Sequence, residues 1–150
     1  MAIRRETDTK LIDKIANSPA VRPFVVYHDH ECDWTPAIEH CVVLSNGEDA
    51  IGIFERTPNL HEIYQRYRWG LRLYQGHTLF DETCRGKKAI HTGREMLAHI
   101  LENYGDVIWG ATPMNNARAR WFNRQLGMKS IGFDEYEVEG PVEIFAIEVA

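Results

Sequence analysis

Residues Lys87 to Tyr104 read KKAIHTGREMLAHILENY, and the small or apolar members Ala89, Ile90, Gly93, Met96, Leu97, Ile100 and Leu101 recur every three or four positions. That spacing lays one apolar stripe along a helix, and Gly105 follows it as a stop signal. Upstream, Leu71 to Phe80 alternates, with Leu71, Leu73, His77 and Leu79 on one face and Tyr74, Thr78 and Phe80 on the other. Period two predicts a strand. Downstream, Val107 to Ala111 is a short apolar run that predicts a buried strand. Strand, long helix and strand in this order predict a right-handed crossover between parallel neighbours.

The pattern extends outward in both directions. Asn116 is placed to cap a helix running to about Leu126, with Gly127 ending it. The tail alternates again through Ser130 to Glu137 and Val142 to Val149, two strands joined at Glu139-Gly140-Pro141. Toward the N-terminus, Cys41 to Leu44 and Ala50 to Phe54 flank an Asn46-Gly47 turn, which predicts a hairpin because Asn-Gly readily adopts the positive dihedrals of a tight turn. Leu11, Ile12 and Ile15 predict a helix within Thr7 to Ser18, with Thr7 or Asp8 as cap, after a short strand at Ala2 to Arg5. A second short helix is expected to start at Ser18-Pro19, since proline suits a first turn. Between Leu60 and Trp69 two patterns compete: Leu60, Ile63, Tyr64 and Tyr67 fit a helix, while Ile63 to Trp69 is aromatic enough for a strand, the preferred assignment.

Composition narrows the functional classes. The chain has 150 residues, 44% of them hydrophobic and 26% charged. That is enough for one ordinary core, so a single domain over residues 1–150 is expected, and disorder, collagen and coiled coil are excluded. Seventeen Lys and Arg against 22 Asp and Glu give a net charge of -5, which disfavours nucleic acid held mainly through phosphates. The opening MAIRRETDTK has no apolar stretch behind it and no run is long enough for a bilayer, so no membrane role and a cytoplasmic location are expected. The three cysteines, Cys32, Cys41 and Cys84, form no close pair, which supports neither a disulfide framework nor a zinc ribbon.

The chemistry concentrates where the long helix begins. Cys84-Arg85-Gly86-Lys87-Lys88-Ala89-Ile90 lies between a strand and a helix, so free backbone N–H groups and the positive end of the helix dipole converge there. With Arg85, Lys87 and Lys88 they make an anion site suited to a pyrophosphate; a solvated basic turn is the plain alternative. The carboxyl end of a strand is also where open α/β sheets usually bind ligands. Cys84, beside a helix N-terminus, is expected either to have a lowered pKa or to pack half buried.

This turn resembles that of the GNAT family of acetyl-coenzyme A dependent N-acyltransferases, whose pattern is Arg or Gln, two residues, Gly, one residue, then Gly or Ala. Arg85, Gly86 and Lys87 match its common Arg-Gly-Lys form, whereas Lys88 and Ile90 stand where small residues are usual. Asn116 to Met128, reading NARARWFNRQLGM, resembles the family's late helix with its closing Leu-Gly-Phe. The element order agrees as well. The resemblance implies an α/β fold with a mixed, mostly antiparallel central sheet flanked by helices and a parallel crossover at the cofactor wedge. It implies acetyl-coenzyme A as cofactor, contacted by Leu79, Phe80, Arg85, Gly86, Lys87, Lys88, Ala89, Ile90, Asn116 and Asn123. The family often has a tyrosine on this helix to protonate the departing thiolate; Asn123 stands there and has no proton it readily gives up.

Within that frame His77 is the foremost candidate base, because imidazole accepts a proton near neutral pH; a hydrogen-bonded histidine in the sheet is the alternative. Asp81 and Glu82, at the strand end, are placed to act through water. The expected activity moves an acetyl group to a primary amine, on a small molecule or a protein, by direct attack. More narrowly, Ser18 to Pro23 (SPAVRP), Asp33 to Pro36 (DWTP) and His77 to Phe80 (HTLF) before Arg85-Gly86-Lys87 resemble GNAT-like proteins of tailed bacteriophages and prophages. That resemblance carries a second expectation, a noncatalytic head-assembly or structural protein made in a bacterial host, with a phage structural protein or a second copy of the chain as partner.

Three further clusters have plainer expectations. His28-Asp29-His30-Glu31-Cys32-Asp33 collects ligand-type side chains but reads as a polar loop rather than a metal site. Tyr64 to Trp69 (YQRYRW) suits partner contact or protection of a sheet edge over nucleic-acid stacking. Arg118, Arg120 and Arg124 form either a solvated face or contacts to coenzyme phosphates.

Overall fold

A computed structural model describes residues 2–25, 32–57 and 71–149. Its strands are β1 (Arg4–Arg5), β2 (Val42–Ser45), β3 (Ala50–Thr57), β4 (Leu73–Phe80), β5 (Val107–Pro113), β6 (Lys129–Tyr136) and β7 (Gly140–Glu148). The helices are α1 (Lys10–Ala16), α2 (Arg22–Val25), α3 (Thr35–His40), α4 (Gly86–Asn103) and α5 (Ala117–Gln125). The strands form a seven-stranded sheet in the order β1-β2-β3-β4-β5-β7-β6. The pairs β1·β2, β2·β3, β5·β7 and β6·β7 are antiparallel, and β4·β5 is parallel. This is the expected mixed, mostly antiparallel sheet flanked by helices, with α4 as the link between the parallel neighbours. Among the described residues no helix is long and apolar enough to cross a membrane.

The chain divides into two compact units, Met1–Glu55 with His77–Met96, and Arg56–Gly76 with Leu97–Ala150. In the first, Ile12, Ile15 and Ala16 of α1 pack with Val21, Val43, Ile51, Ile53 and Leu79. Helix α1 is short because only one turn and a half of apolar spacing supports it. Its cap is Thr9, whose side chain makes no capping bond, while Asp8 Oδ1 accepts from Lys10 N at 3.0 Å. The predicted cap at Thr7 or Asp8 is thus displaced by one or two residues. Helix α2 begins at Arg22 rather than at Pro19, because Ser18 O first accepts from Val21 N at 3.1 Å and from Arg22 N at 2.9 Å, which closes a turn over the proline.

The hairpin forms in the register Val42↔Phe54 to Ser45↔Ile51. Its connection is longer than a two-residue turn: Asn46 to Asp49 separate the strands, and only Gly47 takes a positive φ, 80°. Asn46 instead uses its side chain, Oδ1 accepting from the backbone N–H of Glu48, Asp49 and Ala50 at 3.0 to 3.1 Å. An Asx-type loop has replaced the tight turn.

In the second unit Leu73, Val107, Trp109, Val142, Ile144 and Ala146 form the core. Strands β4 and β5 pair at Leu73↔Val107, Tyr74↔Ile108 and Gln75↔Trp109, and the Trp109 indole donates to Thr57 Oγ1 at 2.9 Å. Gly105 does follow the helix, but its φ is not positive; a Cβ there would lie 2.5 Å from the Tyr74 ring. Close approach, not a left-handed cap, requires the glycine. The tail hairpin turns at Glu137 to Glu139, and Gly140 at φ 70° already opens β7, so the turn lies two residues earlier than the Gly-Pro pair suggested. The assignments over residues 60–69 and most of the His28 to Asp33 cluster fall outside the described residues.

Candidate functional site

In the first unit, β4 ends at Phe80 and α4 starts at Gly86, with Asp81 to Arg85 as the turn between them. Cys84 N donates to Asp81 O at 2.9 Å, and Asp81 Oδ1 accepts from Glu82 N at 2.8 Å. Gly86 takes φ 60°, and nothing lies within 4 Å of where a Cβ would stand. The N–H groups of Gly86, Lys87 and Lys88, in the first turn, have no carbonyl four residues back inside the helix to receive them. Arg85, Gly86, Lys87 and Lys88 are all exposed. Among the described residues neither Arg85 nor Lys87 has an ion-pair or hydrogen-bond partner, so donors and charge both face solvent.

Lys88 differs from them. Its Nζ lies 2.6 Å from Asp49 Oδ2 and 3.9 Å from Glu48 Oε2. Asp49 is only 3% exposed and gathers more than this one donor. Thr83 Oγ1 donates to its Oδ2 at 2.7 Å, Asn46 Nδ2 to its Oδ1 at 2.7 Å, and Asp81 N to its backbone O at 2.9 Å. Burial acts to raise the Asp49 carboxyl, but the hydrogen bonds from Lys88, Asn46 and Thr83, with the Lys88 charge, outweigh it and hold it below its ordinary range. The same bond to Asp49 raises Lys88. No local sequence pattern marks Asp49 as part of this turn; the Asn46-x-x-Asp49 spacing signals the loop but not what the carboxylate holds.

His77 is exposed on β4, and Asp81 at its end is half-buried. Leu79 is 4% and Phe80 9% exposed, and Leu79 belongs to the same core cluster as Ile12 and Ile51, so any ligand contact these two make is mainly through their backbone. Cys84 is fully buried. Burial first, and the negative Asp49 next, push its thiol above the usual value. Of the two readings of this cysteine the packing one therefore holds, with the side chain fully rather than half buried, because desolvation disfavours the thiolate more strongly than the helix terminus favours it. Ala89 is buried, and Ile90 partly so, on the same first turns.

In the second unit, Asn116 Oδ1 accepts from Ala119 N at 3.1 Å and caps α5, as its position predicted. Asn123 Nδ2 donates to Thr112 Oγ1 at 2.8 Å. Two of the three arginines on α5 are engaged with one carboxylate: Arg120 Nε lies 3.2 Å and Arg124 Nη2 3.0 Å from Glu143, itself 3% exposed. Arg120 Nη1 also donates to Met114 O at 2.7 Å, and the Arg124 guanidinium sits 5.0 Å from the Phe145 ring centre. Arg118 remains exposed. The described residues hold no cluster of three or more His, Cys, Asp or Glu side chains arranged for a metal ion.

This architecture is the GNAT fold of N-acetyltransferases. No family profile matches the chain, and no curated protein matches it at a meaningful level of similarity. Solved structures do match in fold. An aminoglycoside acetyltransferase, AAC(6')-Ib, in complex with coenzyme A and kanamycin superposes with a TM-score of 0.74 at 13% identity, over 98% of this chain and 94% of that one. An aminoglycoside N(6')acetyltransferase from Legionella pneumophila gives 0.67 at 11% identity, over 98% and 91%. A ribosomal-protein-S5-alanine acetyltransferase from Vibrio fischeri gives 0.67 at 7% identity, over 97% and 91%.

Proposed function

We propose that this protein is an N-acetyltransferase that moves an acetyl group from acetyl-coenzyme A to a primary amine by direct attack. The observation that carries the proposal is the β4–α4 turn, where Arg85 and Lys87, without a partner among the described residues, stand beside the open N–H groups of an 18-residue helix. Those donors fit a pyrophosphate, and nothing stands within 4 Å of where a Gly86 side chain would begin. The likeness in fold to an acetyltransferase holding coenzyme A supports the same assignment. Bound there, acetyl-coenzyme A would supply the activated acyl thioester.

The chain's own residues do the rest. Arg85, Lys87 and the backbone from Gly86 to Ile90 bind the phosphates, and Leu79 and Phe80 present strand backbone to the rest of the cofactor. His77 takes a proton from the substrate ammonium on an imidazole nitrogen so that the neutral amine attacks, and Asp81 and Glu82 are able to pass that proton to solvent through water. Water protonates the departing thiolate. Positioning supplies most of the acceleration, since no covalent intermediate on the protein is needed. Asn116 and Asn123 are assigned to the cofactor by resemblance alone. The net charge of -5 favours approach of a cationic amine, and kanamycin in the similar structure is consistent with a small-molecule acceptor.

Calorimetry with coenzyme A tests the proposal. Micromolar to submillimolar binding is expected, and Arg85→Ala should weaken it by roughly tenfold or more, the worth of a charge-assisted phosphate contact. No binding at millimolar coenzyme A overturns it. One observation favours the rival, a noncatalytic phage head-assembly protein on this scaffold: Asn123 offers no acid, and its amide is occupied by Thr112. Absence of coenzyme binding, together with capture of a virion protein from infected cells, is the outcome that rival expects.

A further inference from the structure

We infer that Asp49 is a positioning residue for the anion-binding turn, and that Lys88 acts as its tether rather than as a phosphate ligand. The inference rests on the coenzyme reading for the identity of the anion. Asp49 stands in the β2–β3 loop, 39 residues before Lys88, yet its atoms reach the turn at three places: Asp81 N on its carbonyl, and Thr83 Oγ1 and Lys88 Nζ on the same carboxylate oxygen. Its other carboxylate oxygen receives Asn46 Nδ2, which fixes the side chain from behind. Two residues of the turn and the third residue of α4 are thus tied to buried Asp49, Asp81 through the Asp49 backbone carbonyl and Thr83 and Lys88 through its carboxylate.

A glycine-free turn such as Lys87-Lys88-Ala89-Ile90 has no small residue at the Lys88 position to let a phosphate approach closely. Drawing the Lys88 side chain back onto Asp49 moves that bulk and that charge away from the open donors. The charge it would have added is neutralised by Asp49, so Arg85 and Lys87 remain the two cations of this segment without a described partner. A buried carboxylate with three side-chain donors has little freedom to reorganise, and it fixes the orientation of the Gly86 to Lys88 N–H groups before any ligand arrives.

Asp49→Asn and Lys88→Met, made in the full chain, test this by two readouts taken well below their melting temperatures. Amide hydrogen exchange should accelerate at least tenfold in both variants at Asp81 and Cys84, whose N–H groups donate to Asp49 O and Asp81 O, while the amides from Met96 to Asn103 keep their protection. Coenzyme A affinity should fall about tenfold in both, and the double variant should bind no worse than either single one. The dependence of affinity on salt should keep its wild-type slope in Lys88→Met, because no phosphate contact is lost, whereas Arg85→Ala should flatten it. Lys88→Arg, which can still donate to the carboxylate, should restore affinity. Unchanged exchange in the turn, or a lowered melting temperature with unchanged coenzyme affinity, overturns the inference; so does a flattened salt slope in Lys88→Met. Failure of the wild-type chain to bind coenzyme A overturns the acetyltransferase reading instead, and the exchange experiment still decides whether Asp49 holds the turn.

Discussion

Asp49 and Glu143 are each 3% exposed, and each draws cations from the start or the length of a helix, but they leave different remainders. Asp49 takes Lys88 and leaves Arg85 and Lys87 facing solvent. Glu143 takes Arg120 and Arg124, and α5 keeps only Arg118 exposed without a described partner. A row of arginines on a helix is therefore no guide to anion binding until it is known which of them a buried carboxylate already occupies. On α5 the charges serve the fold; in the β4–α4 turn they stay available to a ligand.

The largest expected effect tests the α5 side of that contrast. Replacing Arg120 and Arg124 together by Ala leaves Glu143 buried and uncompensated, and should lower stability by about 3 kcal/mol, at the low end for a broken buried pair because Arg124 is itself half exposed. Urea unfolding measures it. Coenzyme A affinity should remain within about twofold, and a tenfold loss would erase the distinction between the two regions.

His77→Ala addresses the other side. Turnover should fall about a hundredfold with cofactor affinity nearly unchanged, as expected on removing a general base. Steady-state kinetics and calorimetry on the same preparation check both halves, and unchanged turnover would return His77 to a structural place in β4. A smaller effect is expected from Asn116→Ala, which removes the α5 cap and should cost about 1 kcal/mol of stability. Loss of coenzyme affinity in that variant, measured on folded protein, would mean that α5 also reaches the ligand.

The smallest effect is a pH dependence. The Asp49 carboxyl is held below its ordinary value of 3.8, so the folded state binds its proton more weakly than the unfolded chain does. Its contribution is fully present above the unfolded value and is lost as pH falls through the lower, folded one. The stability difference between the wild-type chain and Asp49→Asn should accordingly hold steady from pH 7 to about 5 and shrink from about pH 4 downward. A difference that stays constant to pH 3 would show that the geometry of the loop, not the charge of Asp49, carries the effect.

Local chemistry made much of this molecule legible from its residues. The stripe from Ala89 to Leu101 could only be satisfied by a long helix, alternation marked the strand before it and a short apolar run the strand after it, and Asn116 with Gly127 bounded α5 to within a residue, because caps and periodicity act over a single turn. The basic turn was visible for the same reason, being a contiguous run at a strand-to-helix boundary. What the sequence alone left open involved partners far apart along the chain. Gly105 looks like a stop signal until the Tyr74 ring is set against it, Cys84 reads equally as activated or as packed until its burial is known, and Lys88 looks like one of three equal cations until Asp49, 39 residues earlier, takes it. Burial and ion pairing depend on which surfaces the sheet brings together, and no local pattern encodes them; tertiary structure alone decided which charges the fold uses and which it leaves for a ligand.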